Sequence, residues 1–167
     1  MAKVFLFGSA SVFGIPDVVT NELENLIKMY PDIEFLVGDK NGAESAFHKT
    51  LSAIGGRYKT KVYTLDKIPV NKFELDTVEL KSAYLPDEKK AVIYIKDTED
   101  ILGEIEDIEK VEDVVYDRRY YEFLDRHLIG VCDIAICLWD GKSKGTFNNI
   151  QLLNIKGKKC YTYKLDI

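Results

Sequence analysis

Apolar and polar positions along the chain fall into two alternating regimes. Three short runs, Lys3–Phe7, Ile33–Val37 and Asp133–Leu138, are almost continuously apolar, the pattern of parallel strands buried on both faces. Each leads into a loop of small or polar residues and then into apolar residues at helical spacing. After the first run come Gly8-Ser9-Ala10-Ser11 and a helix opened by Pro16-Asp17, carried by Val19, Leu23, Leu26, Ile27 and Tyr30, and closed by Pro31. After the second come Gly38-Asp39-Lys40-Asn41-Gly42, then Ala43, Ala46, Phe47, Leu51 and Ile54 up to a Gly55-Gly56 stop. After the third, the loop Trp139–Gly145 precedes a helix from Thr146 through Phe147, Ile150 and Leu153, ended by Gly157.

Further strands are expected at Lys61–Leu65, Ala91–Ile95 and Cys160–Leu165. Between them, Lys67 to about Lys90 carries Pro69 and Pro86 and no strong period, so an insertion is expected at about 67–90. Residues 97–117 hold ten acidic side chains and a single base, Lys110. Ile101, Ile105 and Ile108 fall on one helical face there, which predicts an acidic amphipathic helix at about 97–115. The whole predicts an α/β fold: one three-layer, Rossmann-like domain over 1–167, with a mostly parallel central sheet flanked by helices.

Composition narrows the function classes. A chain of 167 residues, 46% hydrophobic and 31% charged, suffices for one domain with a proper core. A formal net charge of -5 argues against an extended nucleic-acid surface, so any anion site must be local. The first residues read as a strand and not a signal peptide, and no apolar run approaches the ~20 residues of a membrane helix. Cys132, Cys137 and Cys160 are an odd count without metal-ligand spacing, and they sit in apolar runs as reduced cysteines do. A cytoplasmic setting is therefore expected, with no membrane partner. His48 and His127 each lie in helical stretches without a second ligand nearby, so neither a metal nor a cofactor is called for.

Candidate chemistry gathers in the loops after the strands. Trp139, Asp140, Gly141, Ser143, Lys144, Gly145 and Thr146 put glycines, hydroxyls and lysines before a helix N-terminus, where unpaired N–H groups and the helix dipole favour an anion. Gly8 and Ser9, and Gly38 and Gly42, open the other two loops, and Asp39 and Glu44 supply carboxylates suited to sugar hydroxyls. Ordinary strand-to-helix turns and helix-end charge account for the same residues equally simply. Arg118 and Arg119, beside Tyr116, Tyr120 and Tyr121, suit phosphate and base chemically, and equally suit the start of a helix. All three loops are expected at the carboxyl edge of the sheet, where ligands of such folds bind.

Gly8-Ser9, Gly38-Asp39-x-x-Gly42-Ala43-Glu44 and Trp139-Asp140-Gly141-x-Ser143-x-Gly145-Thr146 resemble the SLOG superfamily, which includes the Lonely Guy phosphoribohydrolases, and within it the small YspA-like branch. The resemblance covers roughly the first 66 and last 50 residues. It implies a pocket for a nucleotide or nucleotide-derived ligand, in proteins that act as sensors or as enzymes cleaving N-glycosidic bonds. It also implies a homodimer or larger homo-oligomer. The enzymes of this group place a glutamate where this chain has Asn149, a neutral side chain that can hydrogen-bond a ribose hydroxyl but cannot act as nucleophile or general base. Asp39, Glu44, Asp117 and Asp140 are the candidates for a relocated catalytic acid. Binding or sensing is thus the first expectation, an N-glycosidase or deoxyribosyltransferase the second, and a protein-interaction module using the acidic segment the third.

Overall fold

The computed structural model describes residues 2–54, 58–64, 76–106 and 118–166. The Gly55-Gly56 stop, Leu65, Ile108, Tyr116 and Asp117 lie outside the described residues. Eight strands form one mixed sheet: β1 (Lys3–Gly8), β2 (Glu34–Gly38), β3 (Lys59–Thr64), β4 (Asp76–Leu85), β5 (Lys90–Ile95), β6 (Ile101–Glu106), β7 (Ile134–Trp139) and β8 (Lys159–Lys164), in the order β6-β5-β4-β3-β2-β1-β7-β8. All neighbours are parallel except β5, which runs antiparallel to β4 and β6. The described helices are α1 (Asp17–Met29), α2 (Ala43–Ala53), α3 (Arg118–Val131) and α4 (Lys144–Ile155). The fold is the expected α/β class, and none of these helices is long and apolar enough to cross a membrane.

The continuous apolar runs arise because both faces of the central strands are covered. In β1, Val4 and Leu6 pack with Val19, Leu23 and Phe47 of α1 and α2, whereas Phe5 and Phe7 pack with Tyr120, Leu124 and Leu128 of α3 and Leu153 of α4. In β7, Ile136 and Leu138 join the first cluster, and Ala135 and Cys137 the second. Successive strand side chains point to opposite faces, so a strand between two helical layers is apolar at every position. Cys132 and Cys137 are buried and Cys160 partly so, all three as free thiols.

On the far side of the sheet one stretch gains an element and one expectation is corrected. The stretch read as an irregular insertion contains β4, a ten-residue strand paired with β3 and β5. Its inward side, Val78, Leu80 and Tyr84, has the strand period with polar Glu79 and Lys81 between, but Ser82 interrupts the apolar face. The stretch read as an acidic helix contains β6. Ile101 and Ile105 are four apart, which is about one helical turn and also two pleats of a strand, so this spacing does not separate the two. Gly103 decides the packing, since a Cβ there would stand 2.5 Å from the Phe123 ring of α3. The hairpin is trimmed with exposed ion pairs, Lys90 to Glu88 and Glu104 and Lys96 to Glu79.

Candidate functional site

The chain leaves β1 for the face carrying α1 and leaves β7 for the face carrying α4, although β1 and β7 are neighbours. The carboxyl edge between them is the switch point at which folds of this kind bind ligands. The loops expected there do converge, but onto one another. The Ser9 N–H donates to the Leu138 carbonyl (2.9 Å), and the Ser9 carbonyl accepts from the Val12 and Ala43 N–H groups (both 3.2 Å). A Cβ on Gly8 would run into that same Leu138 carbonyl, and one on Gly42 would stand 2.6 Å from the Ala10 backbone. At Gly38 the space is taken by the Glu44 carboxylate, 2.6 Å from the Cβ position. These glycines let loops pack closely and leave no opening beside them.

The phosphate-like loop is closed by its own aspartate. Asp140 Oδ1 accepts from the Lys142 and Ser143 N–H groups (both 2.8 Å) and Oδ2 from the Ser11 hydroxyl (2.7 Å). These bonds, the Ser143 N–H first, hold the Asp140 carboxyl well below the usual carboxylate range. The Asp140 N–H in turn donates to Ser9 Oγ (3.1 Å). Gly141 has φ +79°, the left-handed conformation that favours glycine. Ser143 caps α4 through the Thr146 N–H, and Trp139 Nε1 donates to the Ser143 carbonyl (3.1 Å) while its ring stacks on Phe147. Lys144 is exposed at the first position of the helix.

The open space lies beside this knot. A cleft of about 620 Å³ lies between α3 and α4, with Lys40 of the β2–α2 loop in its lining. Each helix contributes one stripe: Arg118, Tyr121, Glu122, Asp125 and Arg126 from α3, and Gly145, Asn148, Asn149 and Leu152 from α4. A Cβ on Gly145 would meet nothing within 4 Å. Across the cleft Asn149 Nδ2 donates to Asp125 Oδ2 at 3.0 Å. Burial pushes the Asp125 carboxyl up to about 6, against the opposing pull of Lys40 and the Asn149 hydrogen bond.

Lys40 ties the cleft to the second loop. Its ammonium lies 4.7 Å over the Tyr121 ring and 4.0 Å from Glu44 Oε1, and its N–H donates to Glu44 Oε2 (2.7 Å). Burial works against the Lys40 charge, but Glu44, Asp125 and Tyr121 outweigh it and raise the pKa. Glu44 is almost fully buried, which raises its own carboxyl pKa despite Lys40. Arg118 pairs with Glu122 one turn on, and Arg119 turns away to the Glu106 carbonyl.

No protein-family model, curated protein or solved structure gives a significant match to this chain. The site is therefore read from its own chemistry. Of the residues expected from sequence, Arg118, Gly145 and Asn149 line the cleft, with Glu44 joined to it through Lys40. Gly8, Ser9, Gly38, Gly42, Trp139, Asp140, Gly141, Ser143 and Thr146 build the edge that supports it, Asp39 lies beside that edge, and Arg119 stands apart. Sequence reasoning missed Lys40, Asp125, Arg126 and Asn148, whereas Tyr121, named beside the two arginines, does line the cleft. The signal available was the pair of polar stripes at spacing three and four on two successive helices. Among the described residues no cluster of His, Cys, Asp or Glu is arranged to hold a metal ion.

Proposed function

We propose that the protein binds a nucleotide or nucleotide-derived ligand in the cleft between α3 and α4. The observation that carries this reading is the lining itself: Lys40, Arg118 and Arg126 bring three cations to one cleft in a chain of net charge -5, around the hydrogen-bonding pair Asp125–Asn149. Its volume falls among small-molecule sites, roughly 300–1,000 Å³. Guanidinium groups suit phosphate oxygens, Asp125 and Asn149 suit sugar hydroxyls, and Tyr121 and Leu152 supply apolar wall. The resemblance of the Trp139–Thr146 block to the SLOG superfamily agrees with a ligand of this class.

Calorimetric titration with nucleoside monophosphates and their sugar derivatives tests the reading through Gly145→Asp. The substitution places a carboxylate in the open space above Gly145, where it repels an anion. A negative charge in the first turn of α4 is itself favourable to the helix, so the fold is kept. Affinity should drop at least about tenfold, since a like charge beside a bound anion costs on the order of 1.4 kcal/mol or more. Undiminished affinity in the folded variant removes the ligand from this cleft. One observation favours a second reading, cleavage of the N-glycosidic bond: Asp125 is an acid in the cleft whose carboxyl lies near 6. Release of free base during the same titrations would favour it.

A further inference from the structure

We propose that Asp125 and Asn149 together select the sugar, favouring a ligand with two neighbouring hydroxyls, ribose, over its 2-deoxy counterpart. The inference rests on the reading that the cleft takes a nucleotide-derived ligand, and it adds which sugar that ligand carries. The Asn149–Asp125 hydrogen bond is the starting point. An ionised carboxylate only accepts, so the Asn149 amide must turn its NH2 group to Asp125. Asn149 then keeps its amide oxygen as an acceptor, and Asp125 keeps its second carboxylate oxygen. Neither has another hydrogen-bond partner among the described residues.

Two adjacent side chains from two helices therefore offer acceptor oxygens to one cleft. A phosphate, which is itself all acceptor, is repelled from them and goes to Lys40, Arg118 or Arg126. A hydroxyl donates to them, and two hydroxyls on adjoining carbons satisfy both. When the sugar lacks one, a partly buried carboxylate or amide oxygen is left unpaired, which is how sites built around a hydroxyl reject the analogue without it.

Burial raises the Asp125 carboxyl, and Glu44 and Glu122 add to the rise, but Lys40 and the Asn149 hydrogen bond oppose it enough to leave Asp125 an acceptor at neutral pH. Lys40 and Glu44 face it from the β2–α2 segment, Asn149 from α4, and Glu122 from its own helix, with the carboxyl near 6 as the outcome. Below that value Asp125 carries a proton and becomes a donor, so preference for ribose should fall as the pH drops from 7.5 to 5.

The test compares ribose 5-phosphate with 2-deoxyribose 5-phosphate, and AMP, GMP, CMP and UMP with their 2′-deoxy forms, by calorimetry. Each ribo form should bind about tenfold or more tighter than its deoxy form. Asp125→Ala should bring that ratio close to one, and Asp125→Asn, which keeps one acceptor and the bridge between the helices, to an intermediate value. A merely structural bridge would weaken both members of a pair alike and leave the ratio unchanged, which would overturn the inference. Equal affinity of the wild-type protein for both sugars overturns it too while the binding reading stands; if none of the compounds binds, both fall.

Discussion

At Gly42 the backbone takes φ +100° with the Ala10 backbone 2.6 Å from the Cβ position, whereas at Gly145 the same position opens into the cleft. Gly42→Ala forces a side chain into a left-handed conformation and against main-chain atoms that have nowhere to go. A cost of about 2–4 kcal/mol is expected from strain and overpacking together. Gly145→Ala adds a methyl group to open space within a helix, where alanine is the better former by about 0.5–1 kcal/mol. Urea unfolding should therefore move in opposite directions for the two variants. Loss of stability in both would mean that the space over Gly145 is not open. The glycine pattern in the sequence marks both positions alike, because composition says where the backbone is permissive and not what occupies the space beside it.

The elements divide by how many faces they bury. β1, β2 and β7 were legible from the sequence because helices cover both sides, which leaves an uninterrupted apolar run that no surface helix shows. β4 and β6 were not, because the outer sheet buries fewer positions: in β4 only Leu80 is fully buried, and in β6 only Ile105. The site follows the same division. The loops were legible by their glycines and hydroxyls, but Asp125 looks like any polar residue on the outer side of α3 until folding brings α4 against it, 24 positions along the chain. The packing of β6 makes its own prediction. Ile105 is 1% exposed and Ile101 60%, so the two differ in burial although they are four apart. Ile105→Ala should cost about 2–4 kcal/mol in urea unfolding and Ile101→Ala within about 0.5 kcal/mol. Similar costs at the two positions would contradict this difference in burial.

For the molecule as a whole, holding Asp125 in the cleft costs stability. Asp125 lies in the cleft, on the outer side of the helix whose inner stripe, Tyr120, Leu124 and Leu128, anchors one core cluster, and its carboxyl is pushed from 3.8 to about 6 by burial. The folded state thus holds this proton more firmly than the unfolded state does. Between about pH 4 and pH 6 the unfolded chain has the fewer protons bound, so this group makes stability fall as the pH rises, and above 6 its cost is constant. Two pH units correspond to about 3 kcal/mol at most, reduced by the partial exposure of the side chain to water. Asp140 acts with the opposite sign: its lowered carboxyl contributes stability that is present at neutral pH and is lost as the pH falls. A bare pH profile mixes the two, but in the difference between wild type and Asp125→Asn the Asp140 contribution, common to both proteins, cancels. Asp125→Asn should be the more stable protein at pH 7, by about 1–3 kcal/mol, with the advantage shrinking toward zero at pH 4.5 as the wild-type carboxyl takes up its proton. Urea midpoints measured for the two proteins at both pH values decide it. A constant difference across that range would mean that Asp125 titrates as an ordinary surface carboxylate and that the cleft exacts no cost for holding it.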